Sequence, residues 1–193
     1  MVAGASPINV PNAITVTRIL LAPVLVIVLL NDAGGSTVAA AVFAAGALGD
    51  VLDGTLARAR GLVTDVGKLL DPVADKLLVG AALVALVLVD RLAVWVLVVI
   101  LAREVLVTGL RTAAAKRGRI MDASLLGKLK MTLQIGMVLV LCAVSDPGLL
   151  AIDLLVAATV AATLASGLDV VVRFARGARL REQPGQEAPP GHA

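Results

Sequence analysis

Long apolar stretches separated by short polar turns dominate the pattern of this chain. The turns contain Gly, Pro, Asn and Asp, as in Asn31–Ser36 and Ser145–Gly148, and these residue types favour a turn over a continuing helix. A helix that crosses the core of a bilayer needs about 20 mostly apolar residues. The apolar stretches cover approximately residues 14–30, 37–60, 66–89, 93–114, 128–144 and 149–172. The pattern therefore predicts an all-α, polytopic membrane protein with six transmembrane helices.

Composition supports a membrane protein over a soluble domain. Of the 193 residues, 59% are hydrophobic and 16% are charged, whereas a soluble domain is close to half apolar and about a quarter charged. The single cysteine excludes a disulfide framework. The only histidine, His192, lies in a polar tail, so acid–base chemistry that depends on histidine is not expected. No nucleic-acid partner is expected either.

Basic residues are distributed unevenly among the connections between the apolar stretches. Cytoplasmic connections of membrane proteins are enriched in Lys and Arg. If the amino terminus is cytoplasmic, three connections that hold most of the Lys and Arg are cytoplasmic too, and the opposite turns hold only Arg91. This distribution predicts a protein of the cell membrane with both termini in the cytoplasm. The predicted organisation is an amino-terminal segment (1–12), a six-helix domain (13–178) and a disordered tail (179–193).

Four aspartates stand near the cytoplasmic ends of the second and third apolar stretches: Asp50, Asp53, Asp71 and Asp75. A carboxylate inside a bilayer span costs very roughly 2.5–3.5 kcal/mol on insertion scales, so four of them need compensation. On two helices joined by a short link, the spacings i, i+3 and i, i+4 place each pair on one helix face. Hard oxygen donors of this kind suit Mg²⁺ or Mn²⁺ rather than zinc. The spacing predicts a metal site shared by two antiparallel helices.

A fixed motif surrounds these aspartates. It reads DxxDGxxAR and, after eight residues, GxxxDxxxD, matched by Asp50, Asp53, Gly54, Ala57, Arg58, Gly67, Asp71 and Asp75. This motif resembles the signature of the CDP-alcohol phosphatidyltransferase family, and the resemblance extends over roughly residues 9–178. It implies a homodimeric membrane enzyme with six transmembrane helices. Such an enzyme transfers the phosphatidyl group of CDP-diacylglycerol to an alcohol and releases CMP.

The resemblance also implies roles for individual residues. Asp50 and Asp71 would bridge two divalent ions, Mg²⁺ or Mn²⁺. Asp53 would complete the site of one ion and Asp75 that of the other, and Asp75 would also accept the proton of the attacking hydroxyl. Arg58 would grip the pyrophosphate of the donor. The residues implied to bind the nucleotide or the CDP-lipid are Asn12, Thr15, Gly54, Ala57, Arg58, Thr64 and Gly67.

Three further segments resemble the bacterial branch of the family that uses glycerol 3-phosphate and makes phosphatidylglycerophosphate. They are Asn9–Thr15 with Arg18, Arg103–Arg111, and Gly127–Lys130. The polar groups of the first segment are expected either to cap the first helix or to reach the CDP-lipid.

The second of these segments is expected to present a polar helix face. In Arg103–Arg111, the residues Glu104, Thr108 and Arg111 fall at i, i+4 and i+7, and a polar face in a membrane span should point inward. The residues expected to bind the acceptor phosphate are Arg111, Lys128 and Lys130. The two lysines could instead extend to anionic lipid headgroups.

Two alternative functions stay open from the sequence. The first keeps the chemistry but changes the acceptor to inositol phosphate, or to phosphatidylglycerol with cardiolipin as the product. The second is a cation transporter that uses intramembrane carboxylates. Transporters tend to hold such groups near the membrane midplane in repeated halves, whereas these aspartates lie toward one side and the sequence shows no internal repeat.

Overall fold

The fold consists of helices joined by short connections. The computed structural model describes the chain over residues 10–32, 35–60, 65–118, 121–122, 124–146 and 148–179, and side chains over 16–32, 35–49, 74, 76–118, 121–122, 124–146 and 148–176. Six helices lie within these residues: α1 (Val10–Asn31), α2 (Thr37–Arg60), α3 (Asp65–Leu88), α4 (Val94–Lys116), α5 (Leu125–Ala143) and α6 (Leu150–Arg179). The all-α class and the number of helices agree with the prediction.

Several helices are longer than the apolar stretches that predicted them. Helix α1 begins at Val10 and accommodates Pro11 in its first turn, where the missing N–H of proline has no helical partner to lose. Asn12 and Thr15 therefore lie within α1 and not in a capping segment before it. Helix α6 continues to Arg179, past the predicted end at 172, because arginines are good helix formers. The rest of the predicted tail lies outside the described residues.

An apolar core lies between the six helices, with Ile152 and Val160 as the contribution of α6. Helix α3 packs mainly against α1, while α4 and α5 both pack against α6, and α2 contacts α3 and α5. The largest fully buried side chains are those of Leu25, Leu29, Phe43, Leu78, Leu83, Leu86, Ile100, Met137 and Leu141. Gly46 permits the close approach of α2 to α3, since an added Cβ would overlap a methyl group of Leu78. This packing brings together the two helices that carry the aspartate motif.

Two of the helices in the described part of the chain are long and apolar enough to cross a membrane. They correspond to Leu125–Ala143 in α5 and Leu150–Arg176 in α6. Shorter apolar segments occur over Val16–Asn31, Thr37–Gly49 and Lys76–Leu88. Crossing by all six helices stays a prediction.

The carboxyl-terminal end of α5 is closed by hydrogen bonds from other parts of the chain. Buried Arg91, in the turn after α3, donates from Nε to the carbonyl of Leu141 at 2.9 Å and from its guanidinium to the carbonyl of Val144. The N–H of Ser36 donates to the carbonyl of Cys142 at 2.7 Å. The last carbonyls of a helix have no partner within the helix, and in an apolar medium such groups must be satisfied. These contacts define the closed end of α5.

Candidate acceptor-binding cavity and the aspartate helices

The helices that carry the four aspartates are neighbours in the fold. Asp50 and Asp53 lie in α2, Asp71 and Asp75 lie in α3, and these two helices contact each other. The spacing within each helix predicts that each pair shares one face. The side chains of all four lie outside the described residues, so their arrangement as metal ligands stays a prediction.

The predicted CDP-lipid residues also fall outside the described side chains. Their places in the chain are α1 for Asn12 and Thr15, α2 for Gly54, Ala57 and Arg58, α3 for Gly67, and the link between α2 and α3 for Thr64. Among the described side chains, no group of three or more His, Cys, Asp or Glu could hold a metal ion. The motif aspartates remain the candidate donors, and carboxylate oxygens suit Mg²⁺ or Mn²⁺.

A cavity of ≈ 590 Å³ opens between α3, α4 and α5. One part of its lining is apolar and includes Val79, Leu83, Ile100, Leu101, Met131 and Ile135. The other part is cationic and includes Lys76, Arg103, Arg111, Lys128 and Lys130. Within the described lining, Glu104 is the single acid. An excess of positive charge in a low-dielectric cleft attracts an anion.

The residues predicted to bind the acceptor phosphate all line this cavity. Arg111 reaches it from α4, and Lys128 and Lys130 reach it from the first two turns of α5. Glu104 and Thr108 line it as well, so this polar face of α4 borders the cavity, and Thr108 is exposed there. The structure brings the predicted residues together, and their role with an acceptor stays a prediction.

Two of the five cations are paired with Glu104. Lys130 Nζ lies 2.5 Å from Glu104 Oε1, and Arg103 Nη1 lies 2.9 Å from the same oxygen. Arg103 also donates from Nη2 to Ser166 Oγ at 3.0 Å, which connects α4 to α6. Lys130 is buried, at 7% exposure. We call Arg103, Glu104 and Lys130 the Glu104 cluster. A charge buried in this way is tolerated when it is paired and hydrogen-bonded.

The other three cations have a different environment, and we call Lys76, Arg111 and Lys128 the open cations. Lys76 Nζ donates to Thr108 Oγ1 at 2.7 Å, a neutral partner. Among the described residues, none of the three forms a salt bridge. Arg111 Nε is buried and has no hydrogen-bond partner within the described part of the chain. The described residues therefore provide no negative charge that pairs with the open cations.

Lys76 is the residue of this cavity that sequence reasoning missed. It directly follows Asp75 at the start of an apolar run, and the positions three and four residues away from it hold no acid, so it could have been noticed as a charge without a local partner. Its contact with Thr108 joins α3 to α4 across 32 positions of the chain. Such a contact depends on how the helices pack and has no local sequence signal.

Comparison with known proteins identifies the family. Residues 8–169 match the family model described as CDP-alcohol phosphatidyltransferase. The chain belongs to this family. It is similar to a probable phosphatidylglycerophosphate synthase of Mycobacterium tuberculosis, with 38% identity over 91% of this chain and 86% of that protein. The family predicted from the aspartate motif is confirmed. The protein is a phosphatidyltransferase, and the alternative of a cation transporter is wrong.

Two further relatives carry the name CDP-diacylglycerol–glycerol-3-phosphate 3-phosphatidyltransferase. The protein from Bacillus subtilis is 41% identical over 66% of this chain and 72% of its own length. The protein from Pseudomonas fluorescens is 44% identical over 58% of each chain. These relatives agree with the branch of the family that the three further segments resemble.

Proposed function

We propose that this phosphatidyltransferase transfers the phosphatidyl group of CDP-diacylglycerol to glycerol 3-phosphate, giving phosphatidylglycerophosphate and CMP. The relatives at 38–44% identity carry names for this reaction or for its product. The observation that carries the proposal is the cavity with Arg111, because it adjoins α3, the helix of Asp71 and Asp75. The cavity thus offers an anion site beside the helix of the motif.

The aspartate helices would perform the transfer itself. Displacement at phosphorus requires a neutralised pyrophosphate, an aligned hydroxyl and a stabilised leaving group. Two Mg²⁺ or Mn²⁺ ions held by Asp50, Asp53, Asp71 and Asp75 would supply charge neutralisation at the pyrophosphate. The oxygen of the acceptor hydroxyl bonds to the β-phosphorus, which is the phosphatidyl phosphorus of the donor. Asp75 accepts the proton that this hydroxyl loses. The bond from that phosphorus to the oxygen of CMP breaks, and CMP leaves with the electron pair.

The donor is proposed to lie along α1, α2 and the start of α3. Arg58 binds its pyrophosphate, because a guanidinium donates paired, charge-assisted hydrogen bonds to phosphate oxygens. The other residues proposed for the nucleotide and lipid are Asn12, Thr15, Gly54, Ala57, Thr64 and Gly67. Gly54 has no side chain and allows close approach of the nucleotide to the helix.

The acceptor phosphate is proposed to bind in the cavity to Arg111 and Lys128, with Lys130 beside them. Lys130 already pairs with Glu104, so its contribution to phosphate binding is the smallest of the three. Inositol phosphate also carries a phosphomonoester and would meet the same cations, so it remains the second candidate acceptor. Phosphatidylglycerol has no phosphomonoester and fits this cavity less well.

The proposed setting is the cell membrane, with six membrane-crossing helices and both termini in the cytoplasm. The support is the concentration of Lys and Arg in three connections that this topology places on one side. The reaction would then face the cytoplasm, and the enzyme would be a homodimer. Single cysteines placed at Asp90 and at Lys116 should label from opposite sides of sealed vesicles with an impermeant thiol reagent. Labelling of both from one side would contradict the topology.

An acceptor panel tests the proposed function. Purified protein would be mixed with CDP-diacylglycerol and, in parallel, glycerol 3-phosphate, inositol phosphate, phosphatidylglycerol or glycerol. Release of CMP should be fastest with glycerol 3-phosphate. A preference for phosphatidylglycerol or for inositol phosphate would contradict the proposed acceptor while leaving the family intact.

Chelation tests the proposed metal site. EDTA should abolish the release of CMP, since the pyrophosphate would lose its neutralising charge, and added Mg²⁺ or Mn²⁺ should restore it. Ca²⁺ at the same concentration is the control metal. It prefers more ligands at longer distances, so it should restore less CMP release than Mg²⁺ or Mn²⁺. Full activity in metal-free buffer would exclude the two-metal arrangement.

A further inference from the structure

We propose that Lys76 is an acceptor-binding residue that forms, together with Arg111, the two-cation site for the phosphomonoester of the acceptor. The inference rests on the proposed function and adds a residue of α3 to its acceptor site. It comes from the difference between the cavity cations that pair with Glu104 and those that have no carboxylate partner among the described residues.

The first step is the division of charge in the cavity. Glu104 accepts from both Lys130 and Arg103, at 2.5 and 2.9 Å, so these two cations have a protein counter-charge. No carboxylate in the described part of the chain pairs with Lys76, Arg111 or Lys128. A phosphomonoester carries close to two negative charges at neutral pH. The open cations are therefore the groups that such an anion would meet.

The second step is the position of Lys76 relative to Arg111. The ammonium of Lys76 lies 2.7 Å from the hydroxyl of Thr108, and Thr108 and Arg111 are three positions apart on α4. Residues at this spacing are neighbours on a helix surface, with Cβ atoms about 5–6 Å apart. Thr108 thus holds the ammonium beside the face of α4 that carries Arg111, without neutralising it.

The third step is the unsatisfied donor on Arg111. Its Nε is buried and lacks a hydrogen-bond partner among the described residues, as does the Nε of Arg103. Arg103 has a carboxylate partner in Glu104, whereas Arg111 has none among the described residues. A buried charged donor without a partner is costly, and a guanidinium presents a planar set of donors that matches phosphate. A phosphate oxygen at this point would satisfy Nε, and Lys76 would bind the same phosphate from the opposite wall of the cavity.

The consequence concerns how the acceptor is aligned. Lys76 is next to Asp75 in α3, so the helix that carries the proposed base would also hold the acceptor's phosphate. Fixing both ends of a small acceptor against one rigid element favours a reactive orientation of its hydroxyl. Lys76 therefore sets specificity for acceptors that carry a phosphomonoester.

The main test replaces Lys76 with methionine, which keeps the length of the side chain and removes its charge. Lys76→Met should raise the KM for glycerol 3-phosphate roughly tenfold or more, the loss expected for one charge-assisted contact. The KM for CDP-diacylglycerol should stay the same, and Lys76→Arg should recover most of the loss. Lys116→Met is the matched control, since Lys116 is exposed in the last turn of α4 and does not line the cavity.

Two further measurements isolate the phosphate. With glycerol as acceptor, Lys76→Met should lower the rate by a much smaller factor than with glycerol 3-phosphate, because no phosphate is present to lose its contact. Inorganic phosphate should inhibit competitively against glycerol 3-phosphate, and Lys76→Met should raise its inhibition constant by a similar factor. Thr108→Val, which removes the hydroxyl that holds the ammonium, should raise the acceptor KM by a smaller factor and provides a second variant if Lys76→Met does not fold.

The outcomes separate this inference from the proposed function. If the unmodified enzyme prefers glycerol 3-phosphate but Lys76→Met and Thr108→Val leave its KM unchanged, the inference is wrong and the function stands. A raised KM for CDP-diacylglycerol, or a lower kcat alone, would assign Lys76 to the donor or to the metal site instead. An enzyme that prefers phosphatidylglycerol would overturn the proposed function itself.

Discussion

The two ends of α5 place cations in opposite situations. At the closed end, Arg91 and the N–H of Ser36 donate to carbonyls that α5 leaves unpaired. At the other end, Ser124 caps the helix by accepting from the N–H of Gly127 at 3.2 Å, and the adjoining cavity contains the open cations. The closed end is satisfied by the protein, whereas the cavity end has donors without a described partner.

Arg91 and Arg111 show that residue type alone does not distinguish these situations. Both are arginines near the end of an apolar stretch, and both have buried atoms. Arg91 meets backbone carbonyls of a neighbouring helix, so it stabilises the fold. Arg111 has a buried Nε without a partner among the described residues and no carboxylate partner there, so it is left with donors that a bound anion would satisfy. Substitution of Arg111 at the cavity end should therefore reduce activity, and substitution of Arg91 at the closed end should reduce stability.

The largest effect is expected from the motif aspartates of α3. Asp71→Asn should leave almost no release of CMP, since it removes a ligand proposed to bridge both ions. Asp75→Asn should reduce turnover more than binding of CDP-diacylglycerol, because Asp75 is also the proposed base. Turnover and CDP-lipid binding would be measured for both variants. If Asp75→Asn bound the CDP-lipid much more weakly than Asp71→Asn, the two roles would be reversed.

Arg111→Ala is expected to have the next largest effect, confined to the acceptor. The acceptor KM should rise, or the rate at fixed acceptor concentration fall, by roughly tenfold to a hundredfold, corresponding to about 1.5–3 kcal/mol for a hydrogen bond to a charged group. The KM for CDP-diacylglycerol should hardly change. Kinetics with each substrate varied in turn would measure this. An unchanged dependence on the acceptor would remove Arg111 from the site.

Arg91→Met should show the opposite behaviour at the closed end. The carbonyls of Leu141 and Val144 would lose their donors, and the free energy of unfolding should fall by about 1.5–3 kcal/mol. Both KM values should stay unchanged in the folded protein. Thermal unfolding in detergent would measure the loss, with Arg176→Met as a control at an exposed position of α6. A changed acceptor KM would show that the two ends are coupled.

The smallest effect is expected from Ser124→Ala, at the start of α5. Loss of the cap to Gly127 should lower the free energy of unfolding by about 1 kcal/mol, the usual value for a helix N-cap. Ser124→Thr keeps a hydroxyl and should lose less. Equal loss from both variants would indicate that burial of Ser124, rather than its hydrogen bond, matters at this position.

The sequence by itself determined the class of fold and the family. Helices follow from apolar stretches of sufficient length and from the turn residues between them, which are local properties of the chain. The aspartate motif depends on fixed spacings within two helices, so it too could be recognised without coordinates. The ends of helices were less predictable: α1 begins before, and α6 continues past, its apolar stretch, because polar residues at these positions are compatible with helix.

Only the tertiary structure decided which cations have protein partners. Helical periodicity correctly placed Glu104, Thr108 and Arg111 on one face, but it could not show which neighbouring helix that face meets. The pairs Lys130–Glu104, Lys76–Thr108 and Arg91–Leu141 join residues 26, 32 and 50 positions apart. The packing of apolar side chains sets such pairs by fixing how each helix is rotated and how far it is shifted along its neighbour. A lysine in a sequence can therefore be assigned to a helix face, while its partner depends on the packed bundle.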